Sequence, residues 1–301
     1  MLVAVNLYLE AVATGSRVEM TRTQQVTAEA LFTQARDLKA AGIVAGIDVL
    51  RSQVQLQTQR QRVIAAENDF EKTKRQLARA IGLPLGQAIA LTDAIPYAPM
   101  PAPPVDEALA RALDSRADFL AAKSRVEAAE ALFRAAKGAL LPSLRFDADY
   151  GAIGRTFGAA HGTYAIGATI RIPVFDAGKT RARRIDTGSV LRQRRAELAD
   201  LRGRVEYEVR SALLDLRAAD QQLQAATTNT QLADAELQQA RDRFGAGVAG
   251  NLEITQAQES VATASEQYIS ALYSHNLAKA SLARALGIAE SAVMSFLGGV
   301  Q

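Results

Sequence analysis

The sequence predicts a mainly α protein: long antiparallel coiled-coil helical hairpins, used in two internal repeats, with one β-hairpin set between helices. Three observations predict it. Alanine fills about sixty of the 301 positions while aromatic residues make up 5%, a composition suited to helices packed at close range. Sliding the chain by 205 positions aligns Ala35–Gly82 with Ala240–Gly287 without a gap, with 15 of 48 residues identical. Larger apolar residues recur every seventh place, and alanine follows three places later.

Composition also excludes several function classes. The chain has no Cys, so a disulfide scaffold, a thiolate metal site and a Cys nucleophile are out. It has two histidines, His161 and His275, too few for a multi-histidine zinc site. Its 35 basic and 32 acidic residues leave +3, too small a surplus to argue for a nucleic-acid binder, and the one basic cluster is Lys179, Arg181, Arg183 and Arg184. No run of about 18 apolar residues is present, so no transmembrane helix is predicted. The opening residues, with Asn6 and Glu10 and no basic start, do not read as a secretory signal. No catalytic triad, phosphate loop or paired-carboxylate site stands out, which points away from an enzyme and from any cofactor or resident metal.

The elements follow in order. Residues 1–82 form the first, partial repeat, a helical hairpin whose turn carries Ala41-Gly42 and Gly46. Val49, Leu56, Val63, Phe70 and Leu77 keep the seven-residue series in its second arm. Residues 83–105, Pro-rich from Pro96 to Pro104, read as a linker. The second repeat spans 106–290. It opens with one helix from about Asp106 to Leu140, with Ala112, Phe119, Val126, Phe133 and Leu140 as its series.

A β-hairpin over 143–175 comes next. Leu144, Phe146, Ala148, Tyr150 and Ala152 alternate with polar or small residues, as do Tyr164, Ile166, Ala168, Ile170, Ile172 and Val174. The connection runs from Gly154 to Gly162 and holds His161. Each run is the length of a tilted membrane strand. A soluble hairpin with one face on a core has the same pattern.

A long helix over 178–244 then spans roughly 100 Å. Val209, Leu216, Leu223, Thr230, Leu237 and Phe244 occupy its larger positions, and Ala212, Ala219, Ala226, Ala233 and Ala240 its small ones. The return helix over 252–287 repeats the scheme, with Ile254, Val261, Tyr268, His275 and Leu282 against Ala257, Ala264, Ala271, Ala278 and Ala285. His275, at a core position, reads as packed between helices rather than as a ligand. Residues 291–301 form a tail.

The order helix, Leu141-Pro142-Ser143, hairpin, Pro173-Val174-Phe175-Asp176-Ala177-Gly178, long helix, tip, helix resembles the TolC family of bacterial outer-membrane efflux factors. Arg116-Ala117-Asp118-Phe119 and the Leu-Ala-Arg-Ala-Ile/Leu-Gly helix ends carry the same resemblance. It implies a homotrimer whose helices form a periplasmic α-barrel and whose hairpins contribute to an outer-membrane β-barrel. The whole is a passive duct for an efflux pump or type I secretion system, working with a periplasmic adaptor protein and an inner-membrane transporter. It implies localisation to the outer membrane and periplasm, with the Pro-rich linker at the equator.

Relative to the family pattern the first repeat lacks roughly 100 residues, so a truncated form is expected. Three such protomers would bring six strands, below the eight of the smallest membrane barrels. The alternatives are a non-pore-forming fragment or a soluble coiled-coil scaffold.

The resemblance also assigns residues. Asp48 and Glu253, aligned by the repeat, would narrow a periplasmic aperture with Arg51 and Gln256 one turn later. First-turn acids that stabilise helix N-termini explain Asp48 and Glu253 equally well. Gly42, Gly46, Gly247 and Gly250 are candidate adaptor-docking tips, or plain turn glycines. Leu144, Phe146, Tyr150, Ile166, Ile170 and Ile172 would face lipid. Lys179, Arg181, Arg183 and Arg184, at the start of the long helix, would meet headgroups or form a solvated face.

Overall fold

The computed structural model describes residues 2–91, 97–139, 141–155, 158, 161–248 and 250–289. Pro96, Leu140 and the tail 291–301 lie outside the described residues, as does much of the expected hairpin connection. The elements in chain order are α1 (Leu2–Ala40), α2 (Gly46–Ile81), α3 (Val105–Ser115), α4 (Ala117–Gly138), β1 (Ser143–Ile153), β2 (His161–Arg171), α5 (Lys179–Gly245) and α6 (Asn251–Ala285). No described helix is long and apolar enough to cross a membrane.

Two compact units result. The first joins 1–116 to 205–301, and the second is 117–204. In the first unit the alanine register is realised as read. All ten alanines of the small positions in α5 and α6 are buried, from Ala212 to Ala285. The two helices run antiparallel and pack through these positions. Leu223 and Ala226 pack on Ala271 and Leu272 at one level. Leu237, Ala240 and Phe244 pack on Ile254 and Ala257 at another, where Leu31 of α1 completes the cluster. Thr230, the polar member of the series, donates its hydroxyl to the carbonyls of Ala226 and Ala264.

The expected single helix over 106–140 is two helices. α3 stops at Ser115, and Arg116 takes an extended conformation, φ −70° and ψ 117°. Three polar contacts hold this break. Arg116 Nη1 donates to Glu208 Oε2 at 2.5 Å and to the Ala285 carbonyl at 3.4 Å, and Ser115 Oγ donates to the Leu286 carbonyl at 2.5 Å. Leu282 to Leu286 also end α6 here, so Arg116 satisfies a carbonyl that the helix end leaves without an intrahelical donor. Helix periodicity continues through this point in the sequence. Only the tertiary partners show that it breaks.

The second unit packs Val126, Ala129 and Phe133 of α4 on Leu191 and Leu198 of α5. Gly188 gives Phe133 its place: a Cβ there would lie 3.1 Å from Phe133 Cε2. β1 and β2 pair antiparallel as a two-stranded sheet. β2 starts at His161, so this histidine is an exposed strand residue rather than part of the connection, and the strand ends at Arg171, before Ile172 and Val174.

Candidate functional site

The two helical tips are built alike. After α1, Ala41, Gly42 and Ile43 donate their amides to the carbonyls of Asp37, Lys39 and Leu38 at 2.9–3.0 Å. After α5, Ala246, Gly247 and Val248 donate to Asp242, Phe244 and Arg243 at 3.0 Å, each partner 205 residues on. Gly42 and Gly247 hold φ +77° and +72°, the left-handed turn in which glycine is least strained. Gly46 is instead the first residue of α2, and Gly250 the extended N-cap of α6. Both tips expose apolar side chains, Ile43 and Ile47 on one, Val248 and Leu252 on the other.

Asp48 and Glu253 stand in the first turns of α2 and α6. The N-terminal end of each helix favours the negative charge. Their cationic partners differ. Asp48 faces Arg51 of its own helix at 3.7 Å, whereas Glu253 reaches across the tip to Arg243 at 2.9 Å. Arg243 aligns with Leu38, so the arginine of this bridge has no counterpart in the first copy. Gln256 is not drawn into it. It is exposed and lines a groove with Leu232, Glu236 and Glu259.

In the hairpin, register decides which side chains share a face. Leu144 pairs with Ile170, Phe146 with Ala168, Ala148 with Ile166 and Tyr150 with Tyr164. Paired residues project to the same side and the next pair to the opposite side. One face is therefore apolar throughout. The other carries Arg145, Asp147, Asp149, Thr163, Thr169 and Arg171, with an ion pair of 2.7 Å between Arg145 and Asp147. Leu144, Phe146, Tyr150, Ile166 and Ile170 lie on the apolar face, 58–88% exposed. Ile172 follows the last strand residue and is exposed as well.

A polar cluster escaped the sequence reading. His275, Asn276 and Lys279 of α6 are all fully buried. Lys279 Nζ donates to the Ala98 carbonyl, and the ring of Tyr97 lies 5.9 Å from that of His275. Asp220 of α5 sits 3.9 Å from His275 Nε2. Burial, then the neighbouring Lys279 charge, pushes the His275 pKa down, and Asp220 opposes this only partly. Burial also lowers the Lys279 pKa. The repeat held a signal for the site, since Lys279 aligns with the identical Lys74. His275 was read correctly as core, but its charged company was not visible.

The outer membrane efflux protein family matches residues 108–288. The pyoverdine export outer membrane protein OpmQ of Pseudomonas putida is 24% identical over 290 residues, covering 93% of this chain and 60% of that protein. A probable efflux pump outer membrane protein of the same species, TtgC, is 25% identical over 295 residues, covering 94% and 59%. The chain thus spans about 60% of the length of these curated relatives. Neither is described as an enzyme. The solved structure of the outer membrane protein VceC from Vibrio cholerae shares the fold, with a TM-score of 0.69 over 95% of this chain and 69% of that one at 19% identity. The repeat, the helical tips, the hairpin and the profile match lead to one conclusion: the chain belongs to the outer membrane efflux protein family.

Proposed function

We propose that this chain is a duct component of a tripartite efflux or export system, resident in the outer membrane with its helices in the periplasm. The observation that carries the reading is the hairpin register, which gathers Leu144, Phe146, Tyr150, Tyr164, Ile166 and Ile170 on one face and leaves Ile153, at the strand end, as the one large apolar residue of the two strands on the other. A strand pair with one face for hydrocarbon and one for a polar lumen is what a membrane barrel requires. Its transport is passive, the role that fits an outer-membrane component of an efflux pump such as its relatives. One protomer brings two strands among the described residues, so this hairpin alone closes no barrel.

The working assembly is a trimer. Its tips at Gly42 to Ile47 and Gly247 to Leu252, each an exposed apolar pair on a rigid turn, meet a periplasmic adaptor that links it to an inner-membrane transporter. Asp48 and Glu253 line the aperture there. Residues 83–105 lie at the equator.

Fractionation tests the reading. The protein should be recovered with outer membranes, and should crosslink to itself as a trimer. Recovery from the soluble fraction alone would leave the coiled-coil scaffold as the better account.

A further inference from the structure

We propose that Lys179, Arg181, Arg183 and Arg184 form a collar that binds the anionic phosphates of phospholipid headgroups where the hairpin leaves the membrane. This rests on the reading of the hairpin as membrane-spanning.

The order of chemistry along the chain supports it. The apolar face of β2 ends with Ile170. Ile172, Val174 and Phe175 follow, 61%, 90% and 89% exposed. Then come the four cations, all within the first two turns of α5. Apolar band, apolar and aromatic edge, then basic cluster is the sequence of surfaces that a protein presents through hydrocarbon, interface and headgroups.

The cations lack any internal reason to be there. Positive charge at a helix N-terminus opposes the macrodipole, and the first turn of α5 has no acidic residue. Two carboxylates are near in sequence: Asp176 is spent on the helix cap, accepting from the amides of Gly178 and Thr180 at 3.1 and 2.7 Å, and Asp186, three places after Arg183, forms no ion pair with any of the four among the described residues. Further along the same helix, arginines find partners: Arg194 with Glu197, Arg195 with Glu130 and Arg204 with Asp200. Among the described residues, none of the four collar cations makes an ion pair.

Charge over the whole chain agrees. Residues 117–204 hold sixteen Lys and Arg against nine Asp and Glu, a net +7, while the rest of the chain is −4. The near-neutral total conceals a strongly basic unit around the hairpin. Each Lys or Arg at an anionic surface strengthens binding several-fold, and the effect fades within a Debye length.

The test is flotation of the purified chain with vesicles of phosphatidylcholine alone, or with a third of the lipid replaced by phosphatidylglycerol. The wild-type chain should bind the anionic vesicles at least about tenfold more strongly at low salt. The variant K179Q/R181Q/R183Q/R184Q should lose most of that preference while still binding neutral vesicles. A variant with the same change in net charge placed further along α5, R192Q/R194Q/R202Q/R204Q, should keep it.

If the collar variant keeps the preference, or both variants lose it equally, the collar is overturned and the membrane reading of the hairpin stands. If no form of the protein binds either vesicle, both fall.

Discussion

The ring of Phe70 lies against Gly15, so closely that a Cβ on Gly15 would sit 3.2 Å from Phe70 Cε2. One repeat later, 205 residues on, the same two places hold His275 and Asp220, 3.9 Å apart. Lys74 stands 4.7 Å over the Phe70 ring, and its counterpart Lys279 is buried beside His275. The second copy has thus replaced an apolar contact by an acid and a base while keeping the lysine.

This exchange makes stability depend on pH. Folding holds His275 below its ordinary pKa through burial and then Lys279. The unfolded chain takes up a proton as pH falls through about 6.5, while the folded chain resists until lower pH. Stability from this group is full above that value and declines as pH falls toward the folded pKa. His275→Phe, the residue of the first copy, should flatten the dependence of melting temperature on pH between about 5 and 7. An unchanged slope would assign it to other groups.

Gly82 and Gly287, equivalent in the repeat, should differ in tolerance. Both hold positive φ, +79° and +75°. A Cβ at Gly82 meets nothing within 4 Å, whereas one at Gly287 would meet Arg116 Cγ at 2.8 Å and its Cα at 3.0 Å. Gly82→Ala should cost about 1 kcal/mol, the strain of the left-handed backbone. Gly287→Ala should cost roughly 1–3 kcal/mol more, because it also displaces the Arg116 break. Denaturant melts of the two variants measure the difference, and equal losses would refute it.

Asp48 and Glu253 should act on cations. In reconstituted trimers, D48A/E253A should weaken block by a multivalent cation by about tenfold, since rings of carboxylates concentrate positive charge. The same change frees Arg51 and Arg243 from their partners, which strengthens the effect. Block equal to that of the wild type would leave both residues as helix-terminal acids only.

Asp176 caps the longest helix of the chain. Hydrogen bonds from Thr180, and then Gly178, hold its carboxyl below the usual carboxylate range. Its contribution is present above that range and is lost as pH falls through the lowered value. Asp176→Ala should fray the start of α5, seen as faster amide exchange at Gly178 to Ala182 with the rest of α5 unchanged.

Much of this fold was legible because helices packed through alanine leave a periodic trace that needs no three-dimensional context. The burial of Ala212 to Ala240 and the matching tips at Gly42 and Gly247 follow from spacing alone. The break at Arg116 was not legible, because helix-forming residues run through it and its cause lies in Glu208 and the end of α6. Nor was the partner of Glu253, since Arg243 approaches from the preceding helix across the turn.

By itself, the sequence determined the helical periodicity, its repeat, the alternating hairpin and the family resemblance, since each rests on local periodicity or residue order. Tertiary structure decided the rest: which apolar residues share a strand face, which charges are paired, and that His275 is buried beside Lys279. Those are properties of distance between residues far apart in the chain: burial, and then the Lys279 charge, lowers the pKa of a histidine that the sequence shows only as a core position.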